Sequence, residues 1–347
     1  MLKKILRKHQ LISFFILTYI SSWLLLLPYM LTRDEQSYGI LIIIGIFCPA
    51  LGNIFLSRII SQTRTDKFSN KRRITFFGTW IIATIIFTFN VKASSEIESP
   101  VAIVFYAIVS LLPAFVLSSV FSKYSEIRKS LSSLLKPEGK AIWYIFALLV
   151  IPFIRIISLP LSRLAGLEPI SEPELSGNIV QVAGLIASSF FYGLVFTGGL
   201  NEETGWTGFA LPRLQARFNP LITSIILWFF WILWHIPMQI AGLWNSDPDS
   251  FIRTLIGTFF ARFIFTWLFN KTKGGILPTL LFHASANACF MFLTETHIHM
   301  VLEAVLAIVI ISGSRMWVKL PSQSPAIYPK NITTDNGLAF MPDKGLI

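Results

Sequence analysis

The sequence predicts an all-α protein, a polytopic bundle of transmembrane helices with about ten spans and its N-terminus in the cytoplasm. Three observations carry that prediction: a composition too apolar for a soluble domain, apolar runs long enough to cross a bilayer, and basic residues confined to alternate connections. Of 347 residues, 54% are hydrophobic and 14% charged, and the mean hydropathy is +0.65. A soluble domain carries about 25% charged residues. Here the few charges are bunched between apolar runs instead of lining amphipathic faces, which argues against a large soluble helical protein.

A helix needs roughly 20 apolar residues to cross the hydrocarbon core. Leu11–Leu31, Tyr38–Leu56, Phe76–Val91, Val101–Phe121, Ala141–Leu161, Leu221–Trp244, Phe251–Phe269, Gly275–Leu293 and Met300–Ser312 meet or approach that length. Another run begins at Phe190 and supplies the sixth span. The prolines and glycines inside several runs are better tolerated in membrane helices than in soluble ones. The first run follows basic residues, as a signal peptide would. It is longer than a signal-peptide core and lacks a clear small-residue cleavage site, so it reads as a retained helix.

The net charge of +11 is a topology signal. Lys3, Lys4, Arg7 and Lys8 precede the first span. Arg58, Arg64, Lys67, Lys71, Arg72 and Arg73 follow the second, and Lys123, Arg128, Lys129, Lys136 and Lys140 follow the fourth. The intervening connections carry Asp34, Glu35, Glu96, Glu98, Glu168, Glu172, Glu174, Asp247, Asp249 and Glu295. Basic loops stay cytoplasmic, which also puts Lys271, Lys273, Arg315 and Lys319 inside. The charge therefore gives no support to nucleic-acid binding; the partners it implies are membrane lipids. Cys48 and Cys289 lie in apolar runs and offer neither a disulfide framework nor metal-ligand spacing.

Along the chain, residues 1–165 read as amino-terminal scaffold helices with almost no ionisable group inside a span. Arg155 is the exception, and either pairs within the bundle or reaches an interface. Residues 178–318 form the part expected to carry function. Residues 320–347, rich in Pro, Ser, Asn and Lys, read as a poorly ordered cytoplasmic tail. The acceptor-like Asn331-Ile332-Thr333 within it reads as a chance match.

An ionisable residue at mid-bilayer costs about 2.5–3.5 kcal/mol on insertion scales and is a functional hypothesis by default. Three clusters qualify: Asn201-Glu202-Glu203-Thr204-Gly205-Trp206, Trp231 to His235, and His283-Ala284-Ser285-Ala286-Asn287. If the sixth span ended at Leu200, Glu202 would lie at the surface. The sequence stays apolar to Leu211, however, and places the boundary near Arg213 and Arg217. Glu202 is then roughly 16–22 Å deep, His235 roughly 22 Å and His283 roughly 15 Å at the helical rise. One layer holds all three clusters.

His283 and Asn287 share a helix face. Glu202 and Glu203 diverge by about 100°, so only one is expected to face the histidines squarely. Two adjacent carboxylates at low dielectric need a partner or a proton, which suits a group that takes and returns one. Glu202, His235 and His283 form a candidate ligand set for a divalent metal such as zinc, which leaves a position open for water. Metal-free activation of water by the glutamate stays open. Asn287 is a candidate oxyanion donor. Interhelical hydrogen bonding is the plainer reading for each histidine taken singly, and a proton-linked transporter is the functional rival. A transporter would show related halves with interrupted helices, which the quiet first half and polar second half do not suggest. His297 and His299 read as solvated in a short outer loop. Trp206, Trp228, Trp231 and Trp234 read as packing or cavity-wall residues, and Gly198, Gly199, Gly205 and Gly208 as sites of close helix approach.

At these residues the chain resembles the CPBP family of intramembrane proteases, also called the CAAX protease or bacteriocin-immunity family. The resemblance rests on Glu202-Glu203-Thr204-Gly205-Trp206-Thr207-Gly208, Trp231 to His235 and His283 to Asn287, with support from Leu211-Pro212-Arg213-Leu214 and Gly274-Gly275-Ile276-Leu277-Pro278. It covers roughly residues 190–293. It implies an intramembrane endopeptidase in a bacterial cell membrane, cutting near the cytoplasmic side of a membrane-anchored or lipid-modified, CAAX-like substrate. Glu202 with His235 would activate water, and His283 with Asn287 would hold a metal or the oxyanion. The alternative is a non-proteolytic immunity or scaffold protein. No HExxH is present, so a zincin-type site is not supported. The related motif has an arginine where this chain has Thr207, so Glu203 is expected to find Arg213 or Arg262, or to stay protonated. The second motif commonly opens on phenylalanine; here it opens on Trp231.

Overall fold

The computed structural model describes residues 2–65, 69–94, 100–172, 178–243 and 247–328. Lys67, Glu96, Glu98, Glu174, Trp244 and the Asn331 acceptor lie outside them. The described residues are helical throughout, with only isolated bridges between connections. In chain order they form α1 (Leu2–Lys8), α2 (Gln10–Thr32), α3 (Glu35–Ile46), α4 (Cys48–Ile60), α5 (Asn70–Ser94), α6 (Pro100–Val109), α7 (Leu111–Ser118), α8 (Ser125–Leu131) and α9 (Ile142–Leu164). α10 (Ile179–Val195), α11 (Leu211–Gln215), α12 (Pro220–Ile240), α13 (Pro248–Lys271), α14 (Leu277–Phe292) and α15 (His297–Gly313) follow.

The distribution of polarity is that of a membrane protein. On α2, Ile12, Ile16, Ile20, Leu24, Leu27 and Leu31 form an exposed stripe, while Thr18 and Ser22 are buried. The same inversion holds on α9, where Ile145, Leu149, Phe153 and Ile156 face outward and Arg155, Ser158 and Ser162 face inward. Apolar side chains facing out only make sense where the solvent is hydrocarbon. Among the described residues seven helical stretches are long and apolar enough to span, and α3 with α4 passes as a bent pair. The shorter apolar helices α14 and α15 complete the ten crossings. The sixth span counts as one apolar stretch over Ile179–Gln215, interrupted at the Gly198 turn, and the boundary near Arg213 is where the apolar run placed it.

Three spans are shaped by proline. A proline cannot donate to the carbonyl four residues earlier, and in lipid that carbonyl needs another donor. Pro49 leaves the Gly45 carbonyl free, and Ser22 Oγ donates to it at 2.7 Å. Trp234 Nε1 in turn donates to Ser22 Oγ at 2.8 Å. The second span therefore bends by 52° between α3 and α4, where run length alone predicted one straight helix. Pro152 in α9 frees the Leu148 carbonyl, which accepts from Ser285 Oγ of α14 at 2.7 Å. Pro28 lies in the penultimate turn of α2, and Thr32 Oγ1 donates to its carbonyl at 2.9 Å.

The basic connections share one end of the bundle. Arg7 Nε donates to the Ile59 carbonyl at 2.9 Å, Thr65 N to Lys123 O at 3.0 Å, and Leu221 N to Met316 O at 2.9 Å. Ile276 N donates to Ser133 Oγ at 3.1 Å. The acidic connections meet at the other end, where Arg33 donates to the Ile240 carbonyl at 2.7 Å and Ile170 N to Glu295 O at 2.7 Å. Residues 321–328, expected to be poorly ordered, instead fold back on the basic end. Ala326 is buried, Tyr328 N donates to Pro212 O at 3.0 Å, and the Arg213 guanidinium lies 3.7 Å over the Tyr328 ring. Residues 329–347 lie outside the described residues.

Candidate active site

Two tight turns build the first cluster. Gly198 has a φ of +105°, open to glycine but costly for other residues. The chain then passes through two π-helical turns, Gly199–Glu203 and Trp206–Ala210. Such turns are rare and occur often at functional sites. The bent second span holds them. Asn201 Nδ2 donates to the Ile46 carbonyl at 3.0 Å, and Asn53 Nδ2 to the Thr204 carbonyl at 2.6 Å. A Cβ on Gly205 would lie 2.5 Å from the Pro49 carbonyl oxygen, so this approach admits glycine alone.

Both glutamates are buried, and each faces a different histidine. The expectation that only one would do so fails because the π-helical turn carries them and because the two histidines approach from separate helices. Glu202 Oε2 accepts from Trp231 Nε1 at 2.6 Å, and its Oε1 lies 4.0 Å from His235 Nε2. His235 Nδ1 donates to the Trp231 carbonyl at 2.9 Å. In the neutral ring that bond selects the Nδ1–H tautomer, whose Nε2 is an acceptor. Glu203 Oε1 accepts from His283 Nδ1 at 3.0 Å. Its Oε2 accepts from Thr207 Oγ1 and from Arg262 Nη1 at 3.4 Å. Arg262, buried on α13, is thus the cation that meets Glu203. Arg213 is committed to Gln10 and to the Phe209 carbonyl, both at 2.9 Å.

His283 and Asn287 converge on the Gly198 turn. A Cβ on Gly198 would lie 2.5 Å from His283 Nε2 and 2.8 Å from Asn287 Nδ2. Both nitrogens therefore face one small space that a methyl group would fill. Asn287 Nδ2 donates one hydrogen to the Thr197 carbonyl at 2.9 Å, and its second remains to be given.

Glu202, His235, His283 and Asn287 line one cavity of about 1190 Å³. The donor chemistry of Glu202, His235 and His283 suits zinc, but their placement does not. Among the described residues no three His, Cys, Asp or Glu side chains converge closely enough to hold a metal ion. Glu202 is turned to Trp231, and His283 to Glu203.

Sequence reasoning missed parts of this site. Trp231, read as wall packing, is the hydrogen-bond partner of Glu202. His299 is buried, not solvated; its Nδ1 accepts from Thr296 N at 3.1 Å, closing a capping box at the start of α15. His297 is exposed. Arg155 is buried and donates to the Leu293 carbonyl at 3.3 Å. The capping pattern Thr296-x-x-His299 was visible in the sequence; the Trp231 contact depends on how two helices approach and was not.

Residues 183–289 match the family model for type II CAAX prenyl endopeptidase, Rce1-like. That stretch contains all five candidate catalytic residues. The CAAX prenyl protease 2 of Methanococcus maripaludis is 24% identical over 228 residues, which cover 62% of this chain and 82% of that protein. The matched segment surrounds the buried polar site of an integral, multi-pass helical bundle, and over that segment the chain is similar to the Rce1-like CAAX prenyl endopeptidases.

Proposed function

We propose that the chain is an endopeptidase that hydrolyses a peptide bond of a membrane-anchored or lipid-modified polypeptide, with Glu202 as general base. The observation that carries this reading is the placement of Glu202 Oε1 opposite His235 Nε2 across 4.0 Å, a separation that a bridging water fits. That water gives one hydrogen to each acceptor and turns a lone pair to the substrate carbonyl.

Attack forms the carbon–oxygen bond as the water proton passes to Glu202. The charge that develops on the carbonyl oxygen faces His283 Nε2 and Asn287 Nδ2. His283 serves there as an imidazolium, donating from Nδ1 to Glu203 and from Nε2 to the oxyanion. Glu202, Glu203, Arg262 and that imidazolium together sum to zero charge, so the buried site carries no uncompensated ion. Collapse breaks the carbon–nitrogen bond, and Glu202 returns its proton to the leaving amine. Glu203 touches no reacting atom in this scheme; it positions His283. Zinc would supply a Lewis acid if bound, but no step here passes through it.

The test is hydrolysis of a lipid-modified peptide by the purified protein in detergent and oxygen-18 water, read by mass spectrometry. Label in the new carboxyl terminus is expected, with activity unchanged by a chelator. Loss of activity on chelation, restored by zinc, would replace the metal-free scheme. Intact peptide under all conditions would remove the proteolytic reading.

A further inference from the structure

A second pocket opens at the surface of the bundle, at the end where the basic connections gather. Its volume is about 340 Å³, and it shares no lining residue with the catalytic cavity. Two stripes wall it. On α4, Leu51, Phe55 and Arg58 follow at i, i+4 and i+7 and so share a face. Across from them stand Phe115 of α7, Ser119 one turn on, and then Lys123. Arg72, near the start of α5, adds a third cation. Each stripe is graded along the membrane normal, with apolar side chains deeper and charge at the surface. Phe55 and Phe115 are exposed, which in this protein places them against lipid.

The cations are kept apart from acids. Arg58 Cζ lies 5.4 Å from the Tyr124 ring centroid and Lys123 Nζ 5.6 Å from it, so one aromatic ring positions both. Among the described residues none of Arg58, Arg72 and Lys123 has a carboxylate within ion-pair distance. Glu126, the acid nearest to Lys123 in the sequence, accepts from Tyr328 Oη at 2.5 Å instead. A topology signal needs only positive charge in a loop. It does not call for three unpaired cations around a recess with apolar walls beneath them.

We propose that this pocket binds an anionic phospholipid from the leaflet on the basic side of the bundle. Its phosphate meets the guanidinium groups of Arg58 and Arg72 and the ammonium of Lys123, and its chains lie over Phe55 and Phe115. Basic pockets between membrane helices bind anionic headgroups in this way. The volume is at the lower end of the roughly 300–1,000 Å³ of ligand sites, enough for a headgroup whose chains stay in the bilayer. The opposite face of α4 carries Asn53, which donates to the Thr204 carbonyl at 2.6 Å. A lipid seated on the outer face steadies the helix that braces the catalytic turn. The site stands on its own geometry, whatever the reaction.

The test is lipid retention by the purified full chain, read by native mass spectrometry after equilibration in detergent with equimolar phosphatidylglycerol and phosphatidylcholine. Phosphatidylglycerol is expected to stay bound and phosphatidylcholine to be lost; equal retention of the two would overturn the proposal. Each Lys or Arg near an anionic lipid strengthens binding about fivefold, so the triple variant Arg58→Gln, Arg72→Gln, Lys123→Gln should bind roughly 100-fold more weakly. A control triple, Lys4→Gln, Lys136→Gln, Lys140→Gln, removes the same charge from the same face and should keep the lipid. Equal loss in both would reduce the effect to general surface attraction and overturn the site. If the first triple does not fold, Arg58→Gln alone, a change at an exposed side chain, should weaken binding about fivefold. Wild-type retention in that variant would overturn the assignment. Inorganic phosphate in large excess should leave the lipid bound; displacement would give the pocket to free phosphate instead.

Discussion

Glu203 is a fully buried carboxylate whose partner in the related motif is an arginine at the position of Thr207. Here the cation comes from α13, 59 residues further along, as Arg262. Removing one member of a buried ion pair costs about 3–5 kcal/mol. Arg262→Met is therefore expected to lower the melting temperature and to cut kcat, because His283 loses its fixed partner. Adding Thr207→Arg to that variant should restore part of both. Wild-type kcat in Arg262→Met, or no recovery in the double variant, would show that Arg262 does not serve Glu203. Gly198 makes a separate prediction: Gly198→Ala combines an unfavourable φ with a methyl placed against His283 Nε2 and Asn287 Nδ2. Asn287→Ala removes only the second donor and should lower kcat about 10²–10³-fold, as expected for an oxyanion donor. Gly198→Ala should lose at least as much, with KM little changed if its folding is preserved. Equal kcat in wild type and Asn287→Ala would remove Asn287 from the oxyanion role. The residues at this scale were legible where polarity stood out against hydrocarbon, as for Glu202, His235 and His283. Their pairings were not, because a hydrogen bond such as Trp231 to Glu202 depends on the rotation of two helices, which spacing does not encode.

At the scale of elements, the bent pair α3–α4 is the brace of the catalytic turn. Ile46, Pro49 and Asn53 each meet the backbone or side chains of Asn201 to Gly205. Asn53 also accepts from Ser57 Oγ at 2.9 Å, which holds the amide toward Thr204. Asn53→Ala would leave a buried carbonyl without its donor, a cost of about 1–3 kcal/mol. A drop in thermal stability with reduced activity is expected, measured by fluorescence unfolding in detergent; an unaltered melting temperature would count against the brace. Apolar run length read the number and order of spans well, since burial in lipid demands it of every crossing. It could not read the bend at Phe47, because run length does not distinguish a straight span from one whose freed carbonyls find donors on neighbouring helices. Nor did it read the π-helical turns, whose geometry depends on the fit of Gly205 against Pro49.

The whole molecule divides across the membrane as well as along the chain. The amino-terminal helices, read from the sequence as scaffold, supply α3 and α4 as the brace and also wall the cavity through Ile42, Ile43 and Phe105. Charge placement showed which connections share a face, and the folded chain brings those connections together. The account as a whole stands on Glu202 as the base that activates water. The most direct measurement is kcat/KM for a lipid-modified peptide with wild type and Glu202→Gln in the same detergent, with matched unfolding curves. Loss of a general base predicts a fall of about 10²–10⁴-fold with folding intact; a folded Glu202→Gln protein that cleaves at the wild-type rate would contradict it.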